Sequence, residues 1–194
     1  MQVKRLFAGI FLSLAPSFAS QAAGLPGMHG IDHVGITVAN LDEAVIFFVN
    51  VLGCEPTGRR AGGKADDDWF RENLNVNPRA EISGFETLRC GHGSNVEVFE
   101  YKSSDQVKSP PKNSDIGGHH LAFYVDDLDK AVAYLRSQKS VRVLGKPKYA
   151  KEGLHSGNNW IYFIAPWGLQ MELVSFPHGR FAGDKLWDTR FPAK

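Results

Sequence analysis

The chain has 194 residues, of which 43% are hydrophobic and 22% are charged, and its formal net charge is +1. This composition is typical of a folded globular protein and excludes a disordered chain, which would combine low hydrophobicity with high net charge. Basic and acidic residues number 22 and 21 and form no basic stripe, so we expect a small-molecule partner and no nucleic acid.

The N-terminal region, residues 1–23, has the layout of a secretory signal peptide. Lys4 and Arg5 form a short positive segment, residues 6–14 are an apolar run, and small residues at Ala19 and Ala22 mark candidate cleavage sites. The apolar run is too short to span roughly 30 Å of hydrocarbon. We therefore expect an exported protein, periplasmic or secreted, whose mature form has no membrane anchor. A disordered or amphipathic N-terminal arm is the alternative.

The rest of the chain contains an internal repeat. Residues 30–45 align without a gap with residues 117–132, so that His33 matches His120. Each copy begins with residues that alternate between two faces, as in a β-strand, and continues with apolar residues at helical spacing. Each copy therefore predicts a strand followed by a helix that packs on it.

The following elements complete two β-α-β-β-β modules. Asn40 and Asp127 are candidate N-caps, because a short side-chain oxygen can accept from the first free N–H groups of a helix. Residues 61–77, rich in glycine and aspartate, form an insertion in the first module. Three short strands are expected after each helix, at residues 55–59, 80–90 and 95–102 and at residues 141–146, 160–165 and 169–176.

The predicted fold class is α+β, with two tandem βαβββ modules whose mixed sheets form a pair of cupped half-barrels. The domain covers residues 24–176, and a C-terminal extension follows at residues 177–194. Within the domain we place module one at about residues 28–103, a linker at about 104–116 and module two at about 117–176.

Two cysteines lie at the ends of predicted strands in module one. Cys54 opens the second strand and Cys90 closes the third, and such ends are neighbours in an antiparallel pair. A disulfide is geometrically possible, and export would place it in an oxidising compartment. Two separate, half-buried thiols are the alternative.

Each module also offers one histidine and one glutamate. Residues 95–98 and 170–173 share the pattern polar, apolar, Glu, apolar, which places the glutamate on the strand face away from the helix. Two imidazoles and two carboxylates suit a divalent transition metal with coordination positions left open. Unrelated surface residues have no reason to recur at matched positions of two modules.

These motifs resemble the vicinal oxygen chelate superfamily, which includes glyoxalase I, methylmalonyl-CoA epimerase, extradiol dioxygenases and bleomycin-resistance proteins. The resemblance rests on DHVGITV at residues 32–38, HLAFYV at residues 120–125 and PWGLQMEL at residues 166–173. It implies one divalent ion (Ni, Co, Zn, Mn or Fe) and four metal ligands, which are His33, Glu97, His120 and Glu172.

The reaction that this resemblance implies is lyase or isomerase chemistry of the glyoxalase-like kind, on a small substrate with vicinal oxygens. The metal acts as a Lewis acid for the enediolate formed when a carbon-bound proton leaves, and Glu172, slightly favoured over Glu97, takes that proton. One alternative is an extradiol-type Fe(II) or Mn(II) dioxygenase that uses His33, His120 and Glu172. Another is a non-enzymatic, resistance-type protein that binds a small ligand.

The resemblance also implies a homodimer, with the site either within one chain or across two. Other residues carry weaker signals. His155 is interpreted as an exposed loop histidine, with an acid–base role as the alternative. Tyr124 and Tyr162 are interpreted as packing residues, although both could line a cup. The acidic run at residues 66–68 is expected to be a solvated turn.

Overall fold

The structure is a computed structural model that describes residues 25–64, 67–151 and 157–177. The chain divides into two units, residues 1–30 and residues 31–194, and the second contains all the helices and strands described below. The predictions for residues 1–23, for His155 and for residues 178–194 fall outside the described residues. Among the described helices, none has the length and apolar character needed to cross a membrane.

The first module has the predicted β-α-β-β-β order, but residues 67 and 68, which were expected to lie in a turn, begin a short helix within the insertion. It comprises β1 (His33–Val38), α1 (Leu41–Asn50), β2 (Glu55–Gly63), a short α2 (Asp67–Trp69) with a π-helical turn (Phe70–Leu74), β3 (Glu81–Arg89) and β4 (Asn95–Lys102). The second module repeats the β-α-β-β-β order without a described counterpart of α2 and the π-helical turn. It comprises β5 (Leu121–Tyr124), α3 (Leu128–Ser137), β6 (Arg142–Tyr149), β7 (Asn159–Ile164) and β8 (Gln170–Ser175).

Each module forms one four-stranded mixed sheet. The strand orders are β1-β4-β3-β2 and β5-β8-β7-β6, with β1 parallel to β4, β5 parallel to β8, and the other pairs antiparallel. The predicted fold class, α+β with two tandem βαβββ modules, is confirmed. The first strand of each module lies beside its last strand, which is where the repeat places a histidine and a glutamate.

The insertion differs from its prediction, because part of it continues the sheet. Strand β2 was expected to end at residue 59, but it runs to Gly63 and pairs there with Ile82. A Cβ atom at residue 62 would overlap the carbonyl oxygen of Ile82, so Gly62 permits a close approach of two strands. Glycines that suggest a loop in the sequence serve strand pairing in the structure.

Alternation along β1 and β4 divides buried from more accessible residues as predicted. Val96 and Val98 of β4 are buried on the helix side, together with Phe48 of α1. Both helices have the predicted N-caps. The Asn40 side chain accepts from Glu43 N at 2.9 Å, and the Asp127 side chain accepts from Lys130 N at 3.0 Å.

The two modules contact each other through α1 and the turn between β7 and β8. The Trp167 ring lies 5.3 Å from the Phe47 ring and 5.7 Å from the Phe48 ring, centroid to centroid. Tyr134 of α3 donates its hydroxyl to the backbone oxygen of Asn50 at 3.2 Å. One apolar core therefore includes residues of both modules.

A disulfide joins Cys54 to Cys90. Cys54 directly precedes β2 and Cys90 directly follows β3, so the bond closes the ends of an antiparallel pair as the sequence suggested. The alternative of two separate thiols is wrong for this structure, in which the described residues contain no free cysteine.

Candidate metal centre

In module one, His33 and Glu97 form an imidazole–carboxylate pair. His33 Nε2 lies 3.3 Å from Glu97 Oε2. The register of β1 against β4 sets Gly35 opposite Glu97, so both side chains project from the same face of neighbouring strands. Because Gly35 has no side chain, the Phe99 ring lies close to the β1 backbone, where a Cβ atom would be 3.6 Å from it.

Asp32 orients the His33 ring. Its Oδ1 atom lies 2.8 Å from His33 Nδ1, which leaves Nε2 directed at Glu97. The hydrogen bond to Asp32, followed by the negative charge of Glu97, raises the pKa of His33 above its usual value. A carboxylate on one ring nitrogen is how proteins commonly fix the tautomer that presents the other nitrogen to a metal.

Module two contains the matching pair, His120 and Glu172. His120 Nε2 lies 3.0 Å from Glu172 Oε2, and the Glu172 side chain is 12% exposed. Asn113 of the linker lies 3.3 Å from His120 through Nδ2 and Nδ1. With its amide rotated by half a turn, Asn113 would accept a hydrogen bond from His120 Nδ1–H, which would leave Nε2 without a proton and able to bind a metal.

A hydroxyl group accompanies each carboxylate at the same position of the repeat. Thr87 pairs with Glu97 across β3 and β4, and its Oγ1 lies 3.4 Å from Glu97 Oε1. Tyr162 pairs with Glu172 across β7 and β8, and its ring packs edge-on against His120 at 5.3 Å. Burial, followed by the charge of Glu172 and a hydrogen bond to it, raises the pKa of Tyr162.

The Thr87 hydroxyl was not predicted from the sequence, and lining of the cup was only the alternative for Tyr162. Tyr162 was interpreted as a packing residue, although it lies on the cup face beside Glu172. The signal that finds Thr87 and Tyr162 is strand register, since each faces a glutamate on the neighbouring strand. Asn113 carries no such signal, because the linker has no repeating pattern.

The geometry of each pair fits two ligands of one divalent ion. Two donor atoms at about 2.1 Å from an ion lie about 3.0 Å apart at octahedral angles and about 3.4 Å apart at tetrahedral angles. The distances of 3.3 Å in module one and 3.0 Å in module two fall in this range. Imidazole and carboxylate donors suit Zn, Ni, Co, Mn or Fe.

Within one chain, the four predicted ligands lie as two separate pairs. Among residues 25–64, 67–151 and 157–177, no group of three or more His, Cys, Asp or Glu side chains is placed to hold a metal. The expected meeting of all four side chains is therefore not seen inside the single chain. Each module presents one imidazole and one carboxylate.

A cleft of about 830 Å³ lies between the second half of β1 and the linker. Its lining includes Gly35 and Thr37, which share the strand face of His33, together with Pro110 and Trp167. The cleft borders the outer edge of β1, which has a strand partner on one side only among the described strands. His33 and Glu97 are not among the residues that line this cleft.

Comparison with known proteins identifies a matching family and a related protein. The Glyoxalase/Bleomycin resistance protein/Dioxygenase superfamily matches residues 32–158. A 2-epi-5-epi-valiolone epimerase from Actinomyces sp. is 44% identical over 156 residues, which are 80% of this chain and 84% of that protein.

Two solved structures share the fold. A glyoxalase family protein from Bacillus cereus matches with a TM-score of 0.60 at 18% identity, covering 78% of this chain and 98% of its own. A glyoxylase/bleomycin resistance protein/dioxygenase domain from Frankia sp. EAN1pec matches with a TM-score of 0.56 at 16% identity, covering 79% of this chain and 96% of its own.

Proposed function

The chain belongs to the Glyoxalase/Bleomycin resistance protein/Dioxygenase superfamily, and we propose that it is a divalent-metal-dependent epimerase of a small, sugar-like substrate with vicinal oxygens. The observation that carries the proposal is the imidazole–carboxylate pair that recurs in both modules, at 3.3 Å and 3.0 Å. The 44% identity to an epimerase supports isomerisation as the reaction class.

The proposed metal ligands are His33, Glu97, His120 and Glu172. When bound, a divalent ion supplies Lewis-acid stabilisation of negative charge on the substrate oxygens. The protein contributes the orientation of its donors. Asp32 fixes the His33 ring, and hydroxyl groups on β3 and β7 restrain the two carboxylates.

Glu172 is the proposed acceptor of the carbon-bound proton. The C–H bond breaks, a Glu172 oxygen takes the proton, and the electron pair stays on the substrate. Epimerisation then requires delivery of a proton to the opposite face of the same carbon. Glu97, the second carboxyl group among the proposed ligands, is the candidate for this step. Glu172 is favoured as the first base because its histidine holds it at the shorter distance, 3.0 Å against 3.3 Å, and its side chain is less exposed, 12% against 20% for Glu97.

Proton exchange in deuterium oxide tests this chemistry directly. The metal-loaded chain is incubated with 2-epi-5-epi-valiolone, and the loss of a carbon-bound proton signal is followed by NMR. We expect exchange with the wild type and at least about a hundredfold slower exchange with Glu172→Gln. Glu81→Gln, which removes a carboxylate at the start of β3, is the matched control and should exchange normally. Normal exchange by Glu172→Gln would contradict its role.

We further propose that a homodimer completes the site, with module one of one chain facing module two of the other. The support is that the described residues of one chain hold two separate half-sites. Mixed dimers of His33→Ala and His120→Ala chains provide the test. A site shared between chains leaves one intact site in each mixed dimer, so about half of the activity should return. A site within one chain leaves none intact.

Export is the proposed fate of the chain, directed by residues 1–23. Its support is the signal-like sequence together with the Cys54–Cys90 disulfide, since disulfides persist mainly in oxidising compartments. Mass spectrometry of the chain from a periplasmic fraction should show cleavage near residue 23. Recovery of the uncleaved chain from the cytoplasm would contradict export.

A further inference from the structure

The cup of module one carries an aromatic ledge next to the His33–Glu97 pair. Phe85 of β3 stacks on Phe99 of β4, with ring centroids 5.0 Å apart and an interplanar angle of 23°. Tyr101 extends the ledge, 5.9 Å from Phe99. Phe99 lies two residues after Glu97 on β4, so the ledge shares the strand face of the proposed ligand.

Arg60 of β2 lies over the end of this ledge. It pairs with Phe85 in the strand register, and its guanidinium carbon is 5.4 Å from the Phe85 ring centroid. A guanidinium stacked on an aromatic face keeps the N–H groups in its own plane available to a ligand. Its rotational freedom is already reduced before the ligand binds. Arg60 is exposed and forms no ion pair with the described residues.

The neighbouring Arg59 has a structural role in this strand. It projects from the opposite face and binds Asp42 at 2.7 Å and Glu86 at 2.8 Å. Glu86 is 6% exposed, so this ion pair ties β2 to β3 on the helix side of the sheet. The guanidinium of Arg60, by contrast, lies on the cup face and is not paired with a carboxylate of the described residues.

Module two repeats the arrangement at the matching position. Phe85 lies two residues before Thr87, and Trp160 lies two residues before Tyr162, the two residues that face the paired glutamates. Lys148 pairs with Trp160 across β6 and β7, as Arg60 pairs with Phe85 across β2 and β3. Strand register therefore sets a basic residue opposite an aromatic residue in both modules.

The distance to the metal pair suits one small ligand. Arg60 is two strands away from Glu97 and offset by two residues along them. Strand spacing and rise then separate the two Cα atoms by roughly 12 Å. Because both side chains project from the same face, one sugar-sized molecule can reach from the proposed ligands to the guanidinium.

We propose that Arg60 is an anion-binding subsite, and that the preferred substrate carries a phosphate or carboxylate group at the end remote from its vicinal oxygens. The neutral 2-epi-5-epi-valiolone then serves as a substrate that leaves this subsite empty. A guanidinium matches both groups through paired N–H donors. This inference rests on the proposed function, because the His33–Glu97 pair defines the other end of the ligand. The subsite selects substrates by charge, whereas the paired histidines and glutamates select them by chelation.

Three matched probes test the subsite by calorimetry on the Zn(II)-loaded chain. Erythronohydroxamate has vicinal oxygens and a terminal CH2OH group. Tartaric acid monohydroxamate has a carboxylate in place of that CH2OH group, and 4-phosphoerythronohydroxamate carries a phosphate on its hydroxyl. We expect at least one anionic probe to bind roughly 10- to 100-fold more tightly than the neutral one, the gain typical of a charge-assisted hydrogen bond. The tighter of the two identifies the group.

Arg60→Gln should bring the three affinities within about twofold of one another, because the charge-assisted contact is lost. Arg79→Gln removes an exposed arginine outside the sheets and should keep the selectivity. Equal binding of all three probes by the wild type would overturn the subsite. Preserved selectivity in Arg60→Gln would also overturn it.

A second measurement separates failure of the subsite from failure of the proposed function. If no hydroxamate binds, chelation at the metal pair is refuted, and inorganic phosphate is titrated into the metal-free chain. Backbone amide signals of residues 60 and 85 should shift saturably in the wild type and stay unchanged at residue 85 in Arg60→Gln. Absence of a saturable shift in the wild type would overturn the subsite independently of the metal.

Discussion

Removal of the Cys54–Cys90 disulfide should destabilise the chain substantially. The two residues are 36 positions apart in the sequence. The loop-entropy relation for a closed loop of this length gives about 4 kcal/mol at 25 °C. Domains of this size are stable by roughly 5–15 kcal/mol, so the bond accounts for a large part of the total. The corresponding decrease in melting temperature is roughly 8–16 °C.

Urea unfolding, followed by tryptophan fluorescence, measures this effect. The double variant Cys54→Ala/Cys90→Ala should lose about 4 kcal/mol of unfolding free energy relative to the oxidised wild type. Reductant should lower the stability of the wild type by a similar amount and leave the double variant unchanged. Equal urea midpoints for the oxidised wild type and the double variant would refute the reasoning, because the bond would then constrain the unfolded chain very little.

Three further substitutions have expected outcomes. Asp32→Asn removes the main cause of the raised pKa of His33, so the pH below which protons displace the metal should decrease. Metal titrations between about pH 5.5 and 8 measure this pH, and an unchanged value would contradict the role of Asp32. Tyr162→Phe should weaken metal binding roughly tenfold by freeing Glu172, and unchanged affinity would contradict this role. Trp167→Ala should cost about 3 kcal/mol of unfolding free energy in urea by opening a hole against two phenylalanines of α1, and a loss below about 1 kcal/mol would contradict that packing.

The repeat made most of the fold predictable. Because residues 30–45 and 117–132 align without a gap, one interpretation of strand, cap and helix served both modules, and both N-caps are confirmed. Strand ends were less predictable. Strand β6 was expected to end at residue 146 but continues to Tyr149 through a shift of register after Leu144, and such shifts depend on contacts between strands that a single segment does not encode.

The histidines and glutamates of the candidate site could be predicted from the sequence, but the residues around them could not. Alternation places a histidine and a glutamate on the same face of neighbouring strands, and the structure brings each pair within 3.3 Å. Thr87 and Arg60 become visible only through the register that sets them opposite Glu97 and Phe85. The separation of the two pairs also lies beyond sequence patterns, because it depends on how one whole module packs on the other.

Metal content of the purified chain tests the proposed metal centre most directly. The chain is prepared without oxygen and reconstituted, and elemental analysis is applied to the wild type and to His120→Ala. We expect about one Zn, Ni, Co or Mn ion per wild-type chain, because two dimer sites would serve two chains, and loss of that ion in His120→Ala. Iron alone would favour the dioxygenase alternative over the epimerase. A wild-type chain that stays free of metal after reconstitution would contradict the four-ligand site and with it the proposed reaction.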